Sequence, residues 1–277
     1  MTRLERDVDE LRAVGGTPHV AIVLGSGLGG LIDHVAKTVE VPFSEVASLP
    51  QPTVAGHRGR FVFGALGDVP VVLLDGRLHS YEGHALEEIV APARILVRLG
   101  AAALILTNAA GATHPRLSPG DIVLIEDQIN LSFRSPLAGP VRSGEERFPD
   151  MSAPFDAELQ SLFLDVAAQL RVNLARGTYG GVLGPQFETA AEVRMLASLG
   201  VDVVGMSTVA EVVVARAAGV PVSALSVVSN KATGLADERL SHDDVLAVGV
   251  EAGSRMIGLV TGVVARLGEI NPTEQGG

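Results

Sequence analysis

The sequence predicts a single α/β domain, on three observations. Short runs rich in Val, Ile and Leu alternate with helix-patterned segments along the chain. Those runs are apolar at every position rather than at alternate ones, as strands are when helices cover both faces of their sheet. The length, 277 residues at 47% hydrophobic content, suffices for one large packed core and argues against disorder. Aromatics make up only 4% and tryptophan is absent, so that core must be Ala, Val, Leu and Ile.

The elements follow in order. MTRLERDVDELRAV is charged and helix-patterned over 3–14, within an N-terminal helical segment 1–16, and has no signal-peptide apolar region. HVAIVL (19–24) reads as a buried strand, followed by LGSGLGG and a helix over 28–35. Strands are expected at 61–66, 70–74, 102–107, 121–126, 177–183, 201–205 and 222–228. Further helices are expected at 85–99, 156–170, 189–199, 208–218 and 242–267. Thr189 and Glu192 stand at capping-box spacing, and Asp243 and Asp244 follow Ser241 where a helix dipole favours acids. The stretch 131–155 is long and irregular, and such loops are usually functional or mobile. The tail 270–277 should fray. Asp202, Glu211 and Arg216 interrupt the longest apolar stretch, Val201 to Val228, so it is not a membrane span.

Charge and cysteine usage exclude several classes. A net charge of −11 disfavours nucleic acid and anionic membranes as partners. Screening confines distant charges to about 8 Å at physiological salt, so a local basic cluster can still hold a small anion. Cysteine is absent, which rules out disulfides and thiolate metal sites and fits a reducing cytoplasm.

LGSGLGG contains Gly25, Gly27 and Gly30 in G-x-G-x-x-G spacing behind a strand. Backbone N–H groups at such a turn suit a pyrophosphate or a lone phosphate. The bland alternative is a turn whose glycines supply positive φ and bind nothing. A dinucleotide also wants an acid at the end of a second βα unit. Here Glu40 and Glu45 are present, but prolines 42, 50 and 52 break that unit up. Ser26 adds a hydroxyl that could donate to a phosphate oxygen.

Open α/β folds bind ligands beyond the carboxyl ends of their strands. Polar residues there sort into two sets. Ser26, His57, Arg77, His79 and Ser207 are donors with positive charge and suit phosphate, which Arg can grip by two oxygens. Phe187, Glu188 and Asn230 are an apolar plate, a carboxylate and an amide, suited to a flat heterocycle with N–H and carbonyl edges. Each has a plainer reading. Arg77 and His79 could edge a solvated loop, Glu188 could serve a helix dipole, Asn230 could cap a turn and Phe187 could be core.

Taken together, GSGLGGL, GHRGRFVFG, GRLHSYEGH, TNAAGA, ERFPDMS, GPQFETAAEVRM, DVVGMSTVAEVVVARAAG, SVVSNKA and SHDDVL resemble the trimeric purine nucleoside phosphorylases, in family order from residue 25 to about residue 246. The family also contains methylthioadenosine phosphorylase. The resemblance implies one α/β domain over residues 1–277, with a mixed β-sheet forming a distorted barrel flanked by helices. It implies reversible phosphorolysis of purine (deoxy)ribonucleosides to free base and (deoxy)ribose 1-phosphate, by a pentosyltransferase of purine salvage. By resemblance, Ser26, His57, Arg77, His79, the Ala109 amide and Ser207 surround phosphate. Tyr81, Met206 and His242 lie along the ribose, with Phe148 reaching a neighbouring subunit's ribose site in a homotrimer. Phe187, Val204, Glu188 and Asn230 hold the base, and His79, Glu188, Asn230 and His242 are the catalytic set. No cofactor or metal is implied, inorganic phosphate being a co-substrate.

Glu188 and Asn230 match a 6-oxopurine, with an acceptor at O6 and a donor at N1, so inosine and guanosine are expected as substrates and adenosine is expected to be poor. In the methylthioadenosine branch an Asp resembles the counterpart of Asn230, and Ser–Ser replaces the pair found here at Glu188 and Thr189. Three alternatives stay open: a methylthioadenosine or adenosine phosphorylase, a binding module without turnover, and a dinucleotide-dependent oxidoreductase.

Overall fold

The computed structural model describes residues 1–25, 28–54, 56–235 and 242–270, and for 242–247 and 249–251 the backbone alone. The expected tail beyond Ile270, and Ser241 ahead of the last helix, lie outside the described residues.

One mixed sheet of nine strands organises the chain. Helix α1 (Arg3–Gly15) starts on a capping box between Thr2 and Glu5. It leads into β1 (Val20–Leu24), whose five residues are all buried. Strands β2 (Ala36–Pro42), β3 (Arg60–Leu66) and β4 (Val69–Asp75) form an antiparallel wing, and β4 lies parallel to β1. Helix α2 (Leu86–Arg98) precedes β5 (Ala103–Ala112), which pairs parallel with β1 on one side. Then come β6 (Ile122–Asn130), α3 (Ala157–Leu170), β7 (Leu174–Gly181), α4 (Ala190–Ser198), β8 (Val203–Gly205), α5 (Val209–Ala217), β9 (Val222–Lys231) and α6 (His242–Ile270). The strand order is β2-β3-β4-β1-β5-β8-β7-β6-β9, and β9 returns to pair with β5. That last pairing closes β5, β8, β7, β6 and β9 into a five-stranded barrel, as expected, with the wing attached to it.

The core lies on both faces of this sheet. Residues of α1, α2 and α5 pack with Val23, Leu74 and Leu106 on one side. Residues of α3 and α6 pack with Ile22, Leu73 and Ile105 on the other. Successive residues of one strand thus serve opposite clusters, which is why these strands are apolar throughout.

Three local expectations, and the alternative in which Gly25 and Gly30 supply positive φ, need correction. Strand β2 was not expected: AKTVEVP is an edge strand, largely exposed, so its Lys37, Thr38 and Glu40 dilute the apolar signal. Pro42 is tolerated there because it stands at the strand's end on the sheet's edge. The helix expected over 28–35 is a six-residue 3₁₀ helix, Gly29–His34. Gly25 and Gly30 do not have positive φ. Finally, β5 and β9 run further than the apolar runs suggest, because their mutual pairing continues through NAAGA and SNK. Asn108, Ala109, Ser229 and Asn230 are therefore strand residues, not residues of the loops that follow.

Candidate active site

A cavity of ≈ 290 Å³ opens where the wing meets the barrel, a modest volume for a small-molecule site. Its wall brings together His57, Arg77, His79, Ala109 and Ser207. Tyr81 and Met206 line it too, as do Phe187, Glu188, Val204 and Asn230. Three expected residues are not in that set. Ser26 and the side chain of His242 lie outside the described residues. Phe148 does not line this cavity and is 88% exposed, beside the Arg147 guanidinium.

Gly25 explains the first part of LGSGLGG. A Cβ there would meet the Asn108 Cα at 2.6 Å and the Thr107 carbonyl oxygen at 2.7 Å, so the loop lies directly against β5. The Gly25 N–H donates to Thr107 Oγ1 at 3.1 Å, and that hydroxyl donates to the Val23 carbonyl at 3.0 Å. The glycine is needed for close approach, not for a left-handed turn.

Arg77 follows β4 and is 3% exposed, which removes the solvated-loop reading. Its backbone N–H donates to His57 Nδ1 at 3.0 Å. Nε donates to Glu211 Oε1 at 2.9 Å, Nη2 donates to Glu211 Oε2 at 3.1 Å, and Nη1 donates to the Thr107 carbonyl at 2.6 Å. An N–H on each of Nη1 and Nη2 remains beyond these bonds. The His57 and His79 rings lie 5.1 Å apart, and His79 stacks on Tyr81 at 4.8 Å.

Glu82 fixes this pair of rings. Its carboxylate accepts from the His79 backbone N–H at 2.7 Å and lies 3.3 Å from His79 Nδ1. It also accepts from the Thr53 N–H and hydroxyl, at 2.6 and 2.7 Å. Burial works against its charge, but the hydrogen bonds from His79 and Thr53 outweigh burial and hold its pKa down at about 2. Burial, and next the Glu82 charge, push the Tyr81 pKa up to about 12, so the phenol stays a donor.

Ser207 sits on a strained turn. Thr208 has φ 72 and ψ −56, and the Val209 N–H donates to the Ser207 carbonyl at 2.8 Å. This is a γ-turn of the positive-φ kind at a β-branched residue, a conformation that costs about 1–3 kcal/mol. Its surroundings hold it there. Asn108 Nδ2 donates to Thr208 Oγ1 at 2.9 Å, and Asn108 Oδ1 accepts from Ser226 at 2.6 Å. The Ser207 N–H donates to the Tyr179 hydroxyl at 3.3 Å, and Thr208 Oγ1 lies 3.1 Å from Ser207 Oγ. With Thr208 donating across that contact, the Ser207 proton is left for a ligand oxygen.

A bulge aims the base-side amide. Ala110 pairs with Val228 and Gly111 with Asn230, so Ser229 is the extra residue of β9. The Ser229 hydroxyl has two acceptors in reach, Asn230 Oδ1 at 2.7 Å and the Ala110 carbonyl at 3.2 Å, and Asn230 Nδ2 donates to the Lys231 carbonyl at 3.2 Å. In this orientation one Nδ2 hydrogen is taken by that carbonyl and the second is spare. Glu188 precedes α4, whose predicted capping box is present: the Glu192 N–H donates to Thr189 Oγ1 and the Thr189 N–H donates to Glu192. Glu188 is half-buried in the cavity wall, and Phe187, 38% exposed, stands at its rim rather than in the core. Among the described residues, no three His, Asp or Glu side chains gather as a metal site would require.

Glu82, Tyr179 and Thr208 were given no role from the sequence, and Glu211 was noted only as a polar residue after the strand 201–205, without a role. Glu82 lies inside GRLHSYEGH at capping-box spacing from His79, a signal that was available. Glu211 lies 134 residues from Arg77 and carries no local signal.

A phosphate-type donor cluster and a purine-type edge thus share one cavity in a barrel-centred α/β fold. Residues 19–265 match the phosphorylase superfamily model. The chain is 42% identical over 251 residues to purine nucleoside phosphorylase 1 of Bacillus subtilis (strain 168), covering 90% of this chain and 93% of that one. It is 44% identical to the Mycobacterium tuberculosis purine nucleoside phosphorylase, over 91% of this chain and 90% of the relative. The Schistosoma mansoni enzyme solved in complex with inosine superposes with a TM-score of 0.89 at 33% identity, covering 95% of both chains. The chain belongs to the purine nucleoside phosphorylase family.

Proposed function

We propose that the protein catalyses reversible phosphorolysis of 6-oxopurine nucleosides, inosine and guanosine and their deoxy forms, to free base and (deoxy)ribose 1-phosphate. The observation that carries this is the convergence of Arg77, His79 and Ser207 with Glu188 and Asn230 on one cavity. A phosphate oxygen attacks C1′ as the bond from C1′ to the base breaks, and the bonding electrons leave with the purine. The phosphate anion both stabilises the ribose cation and captures it, so the protein's work is positioning and charge stabilisation. Asn230 donates its spare N–H to the purine as it becomes electron-rich, and ionised Glu188 accepts from N1–H. Neither a cofactor nor a metal takes part in this scheme, and phosphate is a co-substrate. By resemblance, Ser26 is assigned to phosphate and His242 to the ribose.

In this reading the enzyme works as a homotrimer in the cytoplasm, each subunit lending Phe148 to a neighbour's ribose site. The exposure of Phe148 supports the lending, and the lack of cysteine suits that compartment. No helix among the described residues is long and apolar enough to cross a membrane.

The second reading is an adenosine or methylthioadenosine phosphorylase. The S. mansoni enzyme has also been solved in complex with adenosine, at a TM-score of 0.90. The spare hydrogen of Asn230 favours the 6-oxopurine where it meets the position-6 group, an acceptor on a 6-oxopurine and a donor on a 6-aminopurine. The test is hypoxanthine release from inosine with and without phosphate, with adenosine alongside. Phosphate-dependent release with little adenosine cleavage supports the proposal. Release without phosphate makes the protein a hydrolase, and a preference for adenosine overturns the base-edge reading alone.

A further inference from the structure

Glu211 does not line the main cavity. It borders a smaller one of ≈ 50 Å³ behind the Met206–Thr208 turn, and is itself buried. We propose that Glu211 is a positioning residue for phosphate. Its carboxylate holds the Nε and Nη2 edge of Arg77 while the Thr107 carbonyl holds Nη1, which turns the remaining N–H of each terminal nitrogen toward the cavity as a two-pronged donor. This rests on reading Arg77 as a phosphate ligand.

The arrangement is built for direction. Glu211 lies in the first turn of α5, and the start of that helix is set by the strained turn at Thr208. Asn108 from β5 and Tyr179 from β7 hold the turn, so Ser207 and Glu211 form one rigid piece. Arg77 is gripped at both ends, by His57 through its backbone and by Glu211 through its side chain. The distance from Arg77 to Ser207 is thereby fixed without contact between the two. The same geometry limits net charge. Glu211 offsets Arg77, and Glu82 stands against His79, so the basic groups at this site are backed by carboxylates. Phosphate is then recognised by aimed N–H and O–H groups rather than by a surplus of positive charge.

Aim and charge predict opposite signs. Glu211→Gln makes the site more positive by one charge. If net charge governs affinity, the phosphate KM falls. If positioning governs it, the phosphate KM rises, because a Gln offers one acceptor oxygen where the carboxylate offers two and the guanidinium is free to turn. The expected rise is about 10–100-fold, the range seen when the group orienting a metal ligand is removed. The inosine KM and the kcat at saturating phosphate should change far less. Glu211→Asp keeps the charge but shortens the reach, and should raise the phosphate KM without any change in net charge. It carries the test if Glu211→Gln does not fold, which the melting temperature of each variant reports. Arg77→Ala is the control for the underlying reading. If Arg77→Ala leaves the phosphate KM unchanged, Arg77 is not a phosphate ligand and the proposal goes with it. If Arg77→Ala raises it while the Glu211 variants leave it unchanged or lower it, Arg77 binds phosphate and Glu211 does not position it.

Discussion

Burial lifts the pKa of Glu188 above the usual 4.5, with a hydrogen bond from its own backbone opposing and the Glu192 charge adding. The residue is proposed to accept from N1–H, which requires the ionised form. Activity on inosine should therefore fall with acid at a pH above the ordinary glutamate range. Glu188→Gln should abolish that limb of the pH profile and lower kcat/KM for inosine by about 10²-fold or more. An acid limb that survives in the variant would assign it to another group. Glu82 runs the other way. Its pKa is near 2 in the fold against 4.5 ordinarily, so it contributes stability above pH 4.5 that is lost as pH falls toward 2. Glu82→Gln should lower the melting temperature at neutral pH, and the gap to the parent should narrow on acidification through that window. A gap that stays constant in acid would sink the assignment. At this scale the sequence named most of the groups that line the cavity, because ligand chemistry restricts residue type. It gave no role to Glu211, Thr208 or Tyr179, because a residue that orients another is defined by a distance across the fold.

Among the elements, the loop after β1 shows how much a motif says without its packing. G-x-G-x-x-G marked a tight anion loop, but the pattern treats its glycines alike and the structure does not. A Cβ on Gly25 would strike the backbone of Asn108 and Thr107, whereas one on Gly30, the motif's last glycine, would meet only Ile257 Cδ1 at an ordinary 3.6 Å, and one on the adjacent Gly29 nothing within 4 Å. Gly25→Ala should push the loop off β5, lower stability by about 1–3 kcal/mol as overpacking does, and raise the phosphate KM. Gly29→Ala should leave both unchanged, or stabilise slightly. Equal melting temperatures and equal phosphate KM values for the two would show that the close approach does not matter. The helix starts and the buried strands were legible because capping chemistry and double-sided burial are local. The edge strand β2 was hidden by its polar face, and the ends of β5 and β9 by the fact that their pairing, not their composition, continues them. The bulge at Ser229 that aims Asn230 is likewise a property of two strands together.

For the whole molecule, the cavity is lined from the wing, the barrel strands and the turns before α4 and α5, so closing the barrel assembles it. The proposed trimer extends this logic to the neighbouring chain. The segment 131–156 contains no helix or strand, yet it is tied down. Arg94 of α2 donates to Glu145 at 2.7 Å and to the Pro136 carbonyl at 2.8 Å, Arg98 donates to the Ser143 carbonyl at 2.7 Å, and the Glu146 N–H donates to the Ala217 carbonyl at 2.6 Å. In the proposed trimer this anchored segment leaves Phe148, 88% exposed, available to a neighbour. If the ring completes a neighbour's site, Phe148→Ala should raise the inosine KM while leaving the phosphate KM and the melting temperature of the subunit nearly unchanged. A stronger consequence concerns mixtures. Phe148→Ala and Glu188→Ala chains are each impaired, but for different parts of a site. When the two are refolded together, some sites combine an intact cavity from the first with an intact ring from the second. Random pairing makes these roughly a quarter of all sites in a closed ring of subunits. Activity well above the sum of the separate variants, in a species whose mass by light scattering is that of three chains, is the expected result. Strictly additive activity would mean that Phe148 acts within its own chain or not at all, while the cavity and its chemistry would stand.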